Sequence, residues 1–136
     1  MRMIRLLFLL AAAPAVWGGE AAPAAAPAET PAALRAQARA LWSSRKTSAV
    51  PWLLLGKADE TEGRRGKAQG EFEKAVKVDP LCAEAYFQLG RFFEQKGKLD
   101  EAANEYQAAL KADKNHAGAA AAWKALSERL DAKSAK

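Results

Sequence analysis

A cysteine–histidine dyad is the first chemistry to consider, because the chain carries one cysteine, Cys82, and one histidine, His116. Nucleophilic catalysis by such a pair needs the thiol and the imidazole within hydrogen-bonding reach. The two residues hold equivalent places in successive units of the repeat described below, and equivalent atoms of stacked helical units lie ~10 Å or more apart. We therefore predict that Cys82 is a small buried residue at a turn, and that His116 is a turn or capping residue.

Acid–base chemistry by paired carboxylates is a second possibility, since several acidic residues stand close together in the chain. Each pair lies among lysines at helical spacing, as Glu73 does with Lys77, and this is typical of a solvated helix face. A single cysteine also excludes a disulfide framework and a cysteine-rich zinc site. We therefore predict no catalytic residue, no metal ligand and no cofactor, and we expect the chain not to be an enzyme. The acidic pairs are Glu60/Glu62, Glu71/Glu73 and Asp100/Glu101.

An anion-binding turn is a third possibility. The run at 62–70 combines glycines with three cations, Arg64, Arg65 and Lys67. It lacks the G-x4-G-K-[ST] order of a phosphate-binding loop. A solvated turn and a weak site for a polyanion or membrane surface remain as alternatives. The formal net charge of the whole chain is +5, and it falls to +3 without Arg2 and Arg5. A charge of +3 spread among acidic residues argues against the polyanion site.

The elements that must position any site are helical. The chain has 136 residues, half of them hydrophobic and only 8% aromatic. Much of the hydrophobic half is alanine, the strongest helix former. The length allows one modest domain.

An export signal is predicted at residues 1–19. Arg2 and Arg5 precede an apolar stretch over 4–17, and small residues follow it, which is the three-part pattern of a cleaved signal peptide. The stretch is shorter than the roughly 20 residues that span a bilayer, so an uncleaved anchor is the weaker alternative. Residues 20–31 are predicted to form a disordered Ala/Pro-rich tether. We expect an exported protein, periplasmic or otherwise associated with the cell envelope.

The sequence contains an internal repeat of 34 residues. Residues 49–82 align without gaps on residues 83–116, with ten identical pairs. In the second unit an apolar stripe at helical spacing is followed by a break at Gly97, and Asp100 is a candidate cap for the next helix. The first unit has its break at Gly63. Each unit is therefore predicted to be a pair of helices.

A further set of residues recurs largely in register in the two units. They are Trp52, Leu55, Gly56, Ala68, Phe72, Ala75 and Pro80 in the first unit, and Tyr86, Leu89, Gly90, Phe93, Ala102, Tyr106 and Ala109 in the second. These residues resemble the motif of tetratricopeptide repeat proteins. The resemblance covers 49–116 and implies an all-α fold, a short right-handed superhelical stack of antiparallel helix pairs with flanking helices. Small residues in such a stack let neighbouring helices approach closely.

The first unit departs from the pattern. Asp59 takes the place that Phe93 fills in the second unit. Gly66 and Gly70 weaken the second helix of the first unit by about 1 kcal/mol each relative to alanine. The first unit is therefore predicted to be the less stable. In the second unit, Lys114 replaces the closing proline.

Two flanking helices are predicted to complete the stack. One covers 32–46, begins at Thr30-Pro31, and turns Arg35 and Arg39 away from its apolar face. The other covers 117–131, with Asn115 as its candidate cap, and 132–136 form a polar frayed tail. The apolar face of the first is Leu34, Ala38, Leu41 and Trp42, and that of the second is Ala119, Trp123, Leu126 and Leu130.

The resemblance also implies a concave groove, built from the first helix of each pair. Lys57 and Arg91 recur in register there and would form a cationic stripe beside Leu53 and Phe87. An extended peptide with an acidic group could bind this stripe; ordinary exposed side chains are the equally open alternative. The polar clamp that some family members use for chaperone tails is absent. The predicted groove residues are Val50, Leu53, Lys57, Glu60, Glu84, Phe87, Arg91 and Glu94.

The leading functional prediction is a non-catalytic interaction scaffold or adaptor in the bacterial cell envelope. Its partner would be another protein or an extended peptide, with no nucleic acid and no stable membrane insertion after signal cleavage. The oligomeric state stays open. The alternative is a weak polyanion or membrane-surface binder through the basic turn.

Overall fold

The computed structural model describes residues 29–44 and 48–136, and within them all regular structure is helical. The predicted all-α stack of helix pairs is therefore confirmed. The predicted signal and most of the predicted tether lie outside the described residues. The helices are α1 (Pro31–Ser44), α2 (Val50–Thr61), α3 (Arg65–Val78), α4 (Ala83–Gln95), α5 (Leu99–Ala112) and α6 (Ala117–Ser134).

The turn inside each helix pair depends on a glycine. Gly63 and Gly97 have φ values of 77° and 76°, a region that residues with a Cβ seldom adopt. Each of these glycines ends the first helix of its pair and lets the second helix turn back antiparallel. The connection between the pairs is different, since Asp79 is extended and Pro80 follows it.

The repeat length continues into the flanking helices. α1, α3 and α5 each have 14 residues, and they begin one repeat length apart. α6 begins at the same interval after α4. α1 therefore holds the position of a second helix, and α6 the position of a first helix, in units that the described residues do not complete.

Helix pairs close by fitting an aromatic ring against a glycine. A Cβ placed on Gly90 would lie 2.5 Å from Cδ1 of Tyr106, and one on Gly56 would overlap the ring of Phe72 in the same way. Phe72 is 2% exposed and Tyr106 is fully buried. The glycines are thus required by the close approach of two helices.

The two end helices lack this arrangement. Ala38 of α1 stands in the register of Phe72 and Tyr106, while Lys124 of α6 stands in the register of the two glycines. Ala38 is fully buried and Lys124 is exposed. α1 therefore lacks the aromatic residue, and α6 lacks the glycine, that form this contact in the two units.

Charged residues hold α1 against the first unit. Arg35, predicted to point away from this contact, donates instead to Glu62 at 2.6 Å and to Asp59 at 2.9 Å. The prediction failed because a long arginine beside the apolar stripe can still reach the neighbouring helix. Trp42, 38% exposed, packs edge-on against Trp52 with ring centroids 4.4 Å apart.

Three local predictions about helix ends are corrected. α5 begins at Leu99 with Lys98 in the N-cap position, so Asp100 lies in the first turn and does not cap it. His116, not Asn115, caps α6, because its side chain accepts the N–H of Ala119. α6 continues to Ser134, so most of the predicted polar tail is helical.

The other predicted features of the flanks lie as follows. The Thr30 hydroxyl accepts the N–H of Ala33 at 3.2 Å and caps α1. Leu126 of α6 is fully buried, and Trp123 packs against the buried cluster that Leu126 forms with Tyr106 and its neighbours on α5. No helix among the described residues is long and apolar enough to cross a bilayer.

Candidate partner-binding groove

The first helices of the two units, α2 and α4, carry the predicted groove residues. On α2, Val50 is 44% exposed, whereas Leu53 is partly buried and packs against the cores formed with α3 and α4. On α4, Phe87 is partly buried and lies 6.0 Å from Tyr106 between ring centroids. One side of Leu53 and of Phe87 therefore packs into the core, and the other side is accessible to a partner.

Lys57 and Arg91 do not form a bare cationic stripe. Lys57 Nζ lies 3.6 Å from Oε1 of Glu84, and Arg91 Nη2 lies 3.6 Å from Oε1 of Glu60. In the first pair α2 supplies the cation and α4 the carboxylate, and in the second pair these roles are reversed. Net charge along the groove is consequently low, and its surface alternates in sign.

Gln88 links these pairs, and sequence reasoning did not single it out. It is 7% exposed, donates to Glu84 at 2.7 Å and accepts from Arg91 at 2.8 Å. The signal was available in its spacing, since Gln88 lies one helical turn from each of the two charged residues.

The pKa of Glu84 reflects this crowded position. Partial burial opposes its negative charge, but hydrogen bonds from Gln88 and His116 and the charge of Lys57 hold its pKa below the ordinary value. Glu84 is therefore ionised throughout the neutral range and anchors three neighbours.

The far end of the groove is closed by α6. Glu94 accepts the hydroxyl of Tyr106 at 2.8 Å and also pairs with Arg129. Arg91, Glu94, Gln95 and Arg129 line an open depression of about 320 Å³. Arg129 was not among the predicted groove residues, because α6 lies outside the two units that the motif covers.

The basic turn is largely neutralised within the fold. Arg64 donates to buried Asp59 at 2.8 Å and also pairs with Glu62. Lys67 Nζ lies 3.8 Å from the second oxygen of Asp59. Only Arg65 of the three predicted cations points elsewhere, lining a small cavity with Glu60 and Gln88. These contacts lend no support to the polyanion alternative.

Both nitrogens of the His116 ring are engaged away from Cys82. Nδ1 accepts from Ala119 and Nε2 lies 3.0 Å from Glu84. Cys82 stands at the start of α4, and burial raises the pKa of its thiol. The arrangement offers no base for a thiolate. In the part of the chain that the structure describes, no group of three or more His, Cys, Asp or Glu residues could hold a metal ion.

Stacked helix pairs are the architecture of the α-solenoid class, and in this chain each pair of the two units closes through a glycine–aromatic contact. A family comparison agrees with this class. The tetratricopeptide repeat family model matches residues 53–117, so this part of the chain is similar to tetratricopeptide repeats. The resemblance read from the motif residues is thereby confirmed. A comparison with curated proteins gave no match.

Solved structures share this fold at low sequence identity. A MamA crystal structure is 20% identical with a TM-score of 0.59, over 72% of this chain and 54% of that one, so the chain spans about half its length. The Arabidopsis OM64 TPR domain is 18% identical with a TM-score of 0.59, over 74% and 97%. The Yersinia enterocolitica type III secretion chaperone SycD, solved with a peptide of the translocator YopD, is 18% identical with a TM-score of 0.57, over 68% and 76%.

Proposed function

We propose that this chain is a non-catalytic adaptor of the bacterial cell envelope that binds a partner protein or extended peptide in the groove between α2 and α4. SycD, which shares this fold, was solved in complex with a peptide of the translocator YopD. The observation that carries the proposal here is the half-exposed groove wall. Val50 of α2 is 44% exposed, and two ion pairs join α2 to α4.

The alternation of charge suggests what the partner offers. A surface of paired charges attracts neither a polyanion nor a polycation strongly, since each cation already faces a carboxylate. A peptide that carries both signs can exchange with the internal pairs without leaving a charge unpartnered. We therefore favour an extended segment with mixed charge and an apolar side chain that contacts Phe87.

Charge exchange within the pairs tests the groove while preserving each ion pair. Glu84→Lys also removes the hydrogen bonds of Glu84 with Gln88 and His116, so matched spectra must show that the fold tolerates it. The double variant Lys57→Glu with Glu84→Lys preserves an ion pair but reverses its sense, and Glu60→Arg with Arg91→Glu does the same for the second pair. The matched control exchanges Lys98, the N-cap residue of α5, with Glu101 in the first turn of that helix, where Nζ and Oε1 lie 3.5 Å apart. Half-exposed pairs contribute ~0–1 kcal/mol, so these changes should leave the fold intact.

The measurement is affinity capture from an envelope extract, with mass spectrometry and matched circular dichroism spectra. We expect wild type and the Lys98/Glu101 control to retain the same protein, and both groove exchanges to lose it. If the groove exchanges retain that protein as well as the control does, the groove is not its binding site.

The cell-envelope location is a proposal based on the sequence of residues 1–19. Arg2, Arg5 and the apolar stretch that follows support it. N-terminal sequencing of the chain recovered from a fractionated cell tests the proposal. A new N-terminus between about Gly18 and Ala22 in the envelope fraction is expected, and an intact N-terminus in the cytoplasmic fraction would refute export.

A further inference from the structure

His116 lies at the junction of α4 and α6, and it is the single histidine of the chain. Its Nδ1 accepts the backbone N–H of Ala119 at 3.0 Å, which makes the ring the N-cap of α6. Its Nε2 lies 3.0 Å from Oε2 of Glu84 on α4. Because Nδ1 is an acceptor, the neutral ring carries its proton on Nε2 and donates it to Glu84. One imidazole thus caps α6 and ties it to the second unit.

The surroundings of the ring are partly closed. Its side chain is 16% exposed, and its centroid lies 5.1 Å from that of Phe87. The facing charge on α4 is Glu84, and Lys57 of α2 reaches the other oxygen of that carboxylate at 3.6 Å. In the turn before α6, the carbonyl of Asp113 accepts the His116 N–H at 3.2 Å, and the Asp113 carboxylate accepts the N–H of Asn115 at 2.9 Å.

Proton binding and capping exclude one another at this residue. A charged imidazole has two N–H donors and no acceptor, so no orientation of the protonated ring can receive the Ala119 N–H. Positive charge at a helix N-terminus is also opposed by the helix dipole. The contact with Glu84 survives protonation and becomes an ion pair. Acid therefore exchanges the cap for a stronger contact with α4.

We infer that His116 is an acid-sensitive cap, which holds the first turn of α6 at neutral pH and releases that turn when the ring is protonated. Histidine is the side-chain type that ordinarily changes charge between about pH 5 and 8. The pairing with Glu84 keeps the His116 side chain near α4, so release is confined to the first turn of α6.

The first turn of α6 borders the groove. A Cβ on Gly118 would lie 3.1 Å from Cζ of Phe87, so this turn packs directly on a predicted groove residue. Release of the turn uncovers more of the Phe87 ring. The consequence for partner binding rests on the proposed function, whereas the cap itself does not.

Amide hydrogen exchange of the free, full-length protein tests the cap without any partner. Exchange is followed by NMR at pH 7.5 and 5.0 and corrected for the intrinsic pH dependence. His116→Asn keeps a side-chain acceptor for Ala119 and does not titrate, and His116→Ala is uncapped at both pH values. In wild type we expect the protection of Ala119 and Ala120 to fall about fivefold at pH 5.0, toward the His116→Ala level.

Two results would overturn the inference. Equal first-turn protection in wild type at the two pH values would show that protonation does not open the cap. An equal acid-induced loss in His116→Asn would assign the effect to carboxylates. The imidazole nitrogen shifts give a second reading: a wild-type ring with its proton on Nδ1 at pH 7.5 contradicts the cap directly. Because no partner enters these measurements, their failure is separate from failure of the proposed function.

Discussion

Arg35 of α1 donates a hydrogen bond to Asp59 of α2, with Nη2 2.9 Å from Oδ1. Asp59 is 2% exposed and occupies the register position that Phe93 takes in the second unit. A carboxylate in an apolar position needs charged partners, and Arg64 and Lys67 supply the others. The first unit has thus replaced an aromatic contact with an ion-pair network, and α1 completes that network.

Asp59→Ala should lower the free energy of unfolding by about 2 kcal/mol, because its hydrogen bonds to two arginines are lost and a small void remains. Arg35→Ala should lower it by less, since Arg64 still pairs with Asp59. Arg39, an exposed arginine on the same helix, provides the control, and Arg39→Ala should leave stability unchanged. Urea unfolding followed by circular dichroism measures all three. Equal effects of Arg35→Ala and Arg39→Ala would contradict a specific role for the network.

The four helical glycines of the repeats should divide into two classes. Gly90→Ala and Gly56→Ala place a methyl group inside the ring of Tyr106 or Phe72, and overpacking of this kind costs about 1–3 kcal/mol. Gly66→Ala and Gly70→Ala meet no atom within 4 Å, and should stabilise the protein by about 0.5–1 kcal/mol through helix propensity. Thermal unfolding of the four single variants checks this. If Gly90→Ala stabilised the protein instead, the close packing of α4 on α5 would not require a glycine at this position.

The repeat made most of the fold predictable. Gly56, Phe72, Gly90 and Tyr106 mark the same glycine–aromatic contact twice, one repeat length apart, and this regularity specifies helix pairing without knowledge of any distance. The position of α1 was predictable for a different reason, since Leu34 and its stripe gave a buried face. The repeat does not predict the ion pairs of Arg35, because that residue lies before the first unit.

The groove contacts were only partly predictable. Glu60 and Arg91 are separated by one helical turn less than the repeat length, and Lys57 and Glu84 by two turns less. Spacings of this kind place two side chains opposite each other on neighbouring first helices, so opposite charges at these intervals predict an ion pair. The predicted cationic stripe rested only on the shared register of Lys57 and Arg91, and it therefore missed the carboxylates that pair with them. The cap at His116 depends on side-chain rotation, which the spacing of residues does not specify.

Glu105 should destabilise the protein at neutral pH. Burial, with the carboxylate of Glu73 nearby, raises the pKa of Glu105. A carboxyl group with a raised folded-state pKa contributes stability below its unfolded pKa, and that contribution is lost as pH rises through the folded pKa. Glu105→Gln should therefore raise the urea midpoint at pH 7, and the gain should disappear near pH 3.5. Glu128→Gln, at an exposed position on α6, is the control. A gain that persists unchanged in acid would exclude titration of Glu105 as its cause.

The hydroxyl of Tyr106 should contribute about 1 kcal/mol through its hydrogen bond to Glu94. Tyr106 is fully buried, so Tyr106→Phe removes the donor while keeping the ring against Gly90. Glu94 retains its contact with Arg129, which limits the cost of losing one partner. Tyr86, the other tyrosine, lines an open cleft beside Leu81, and Tyr86→Phe should change stability by less than about 0.5 kcal/mol. Urea unfolding of the two variants measures the difference, and equal stability losses would show that the Tyr106–Glu94 hydrogen bond adds nothing to the ring packing.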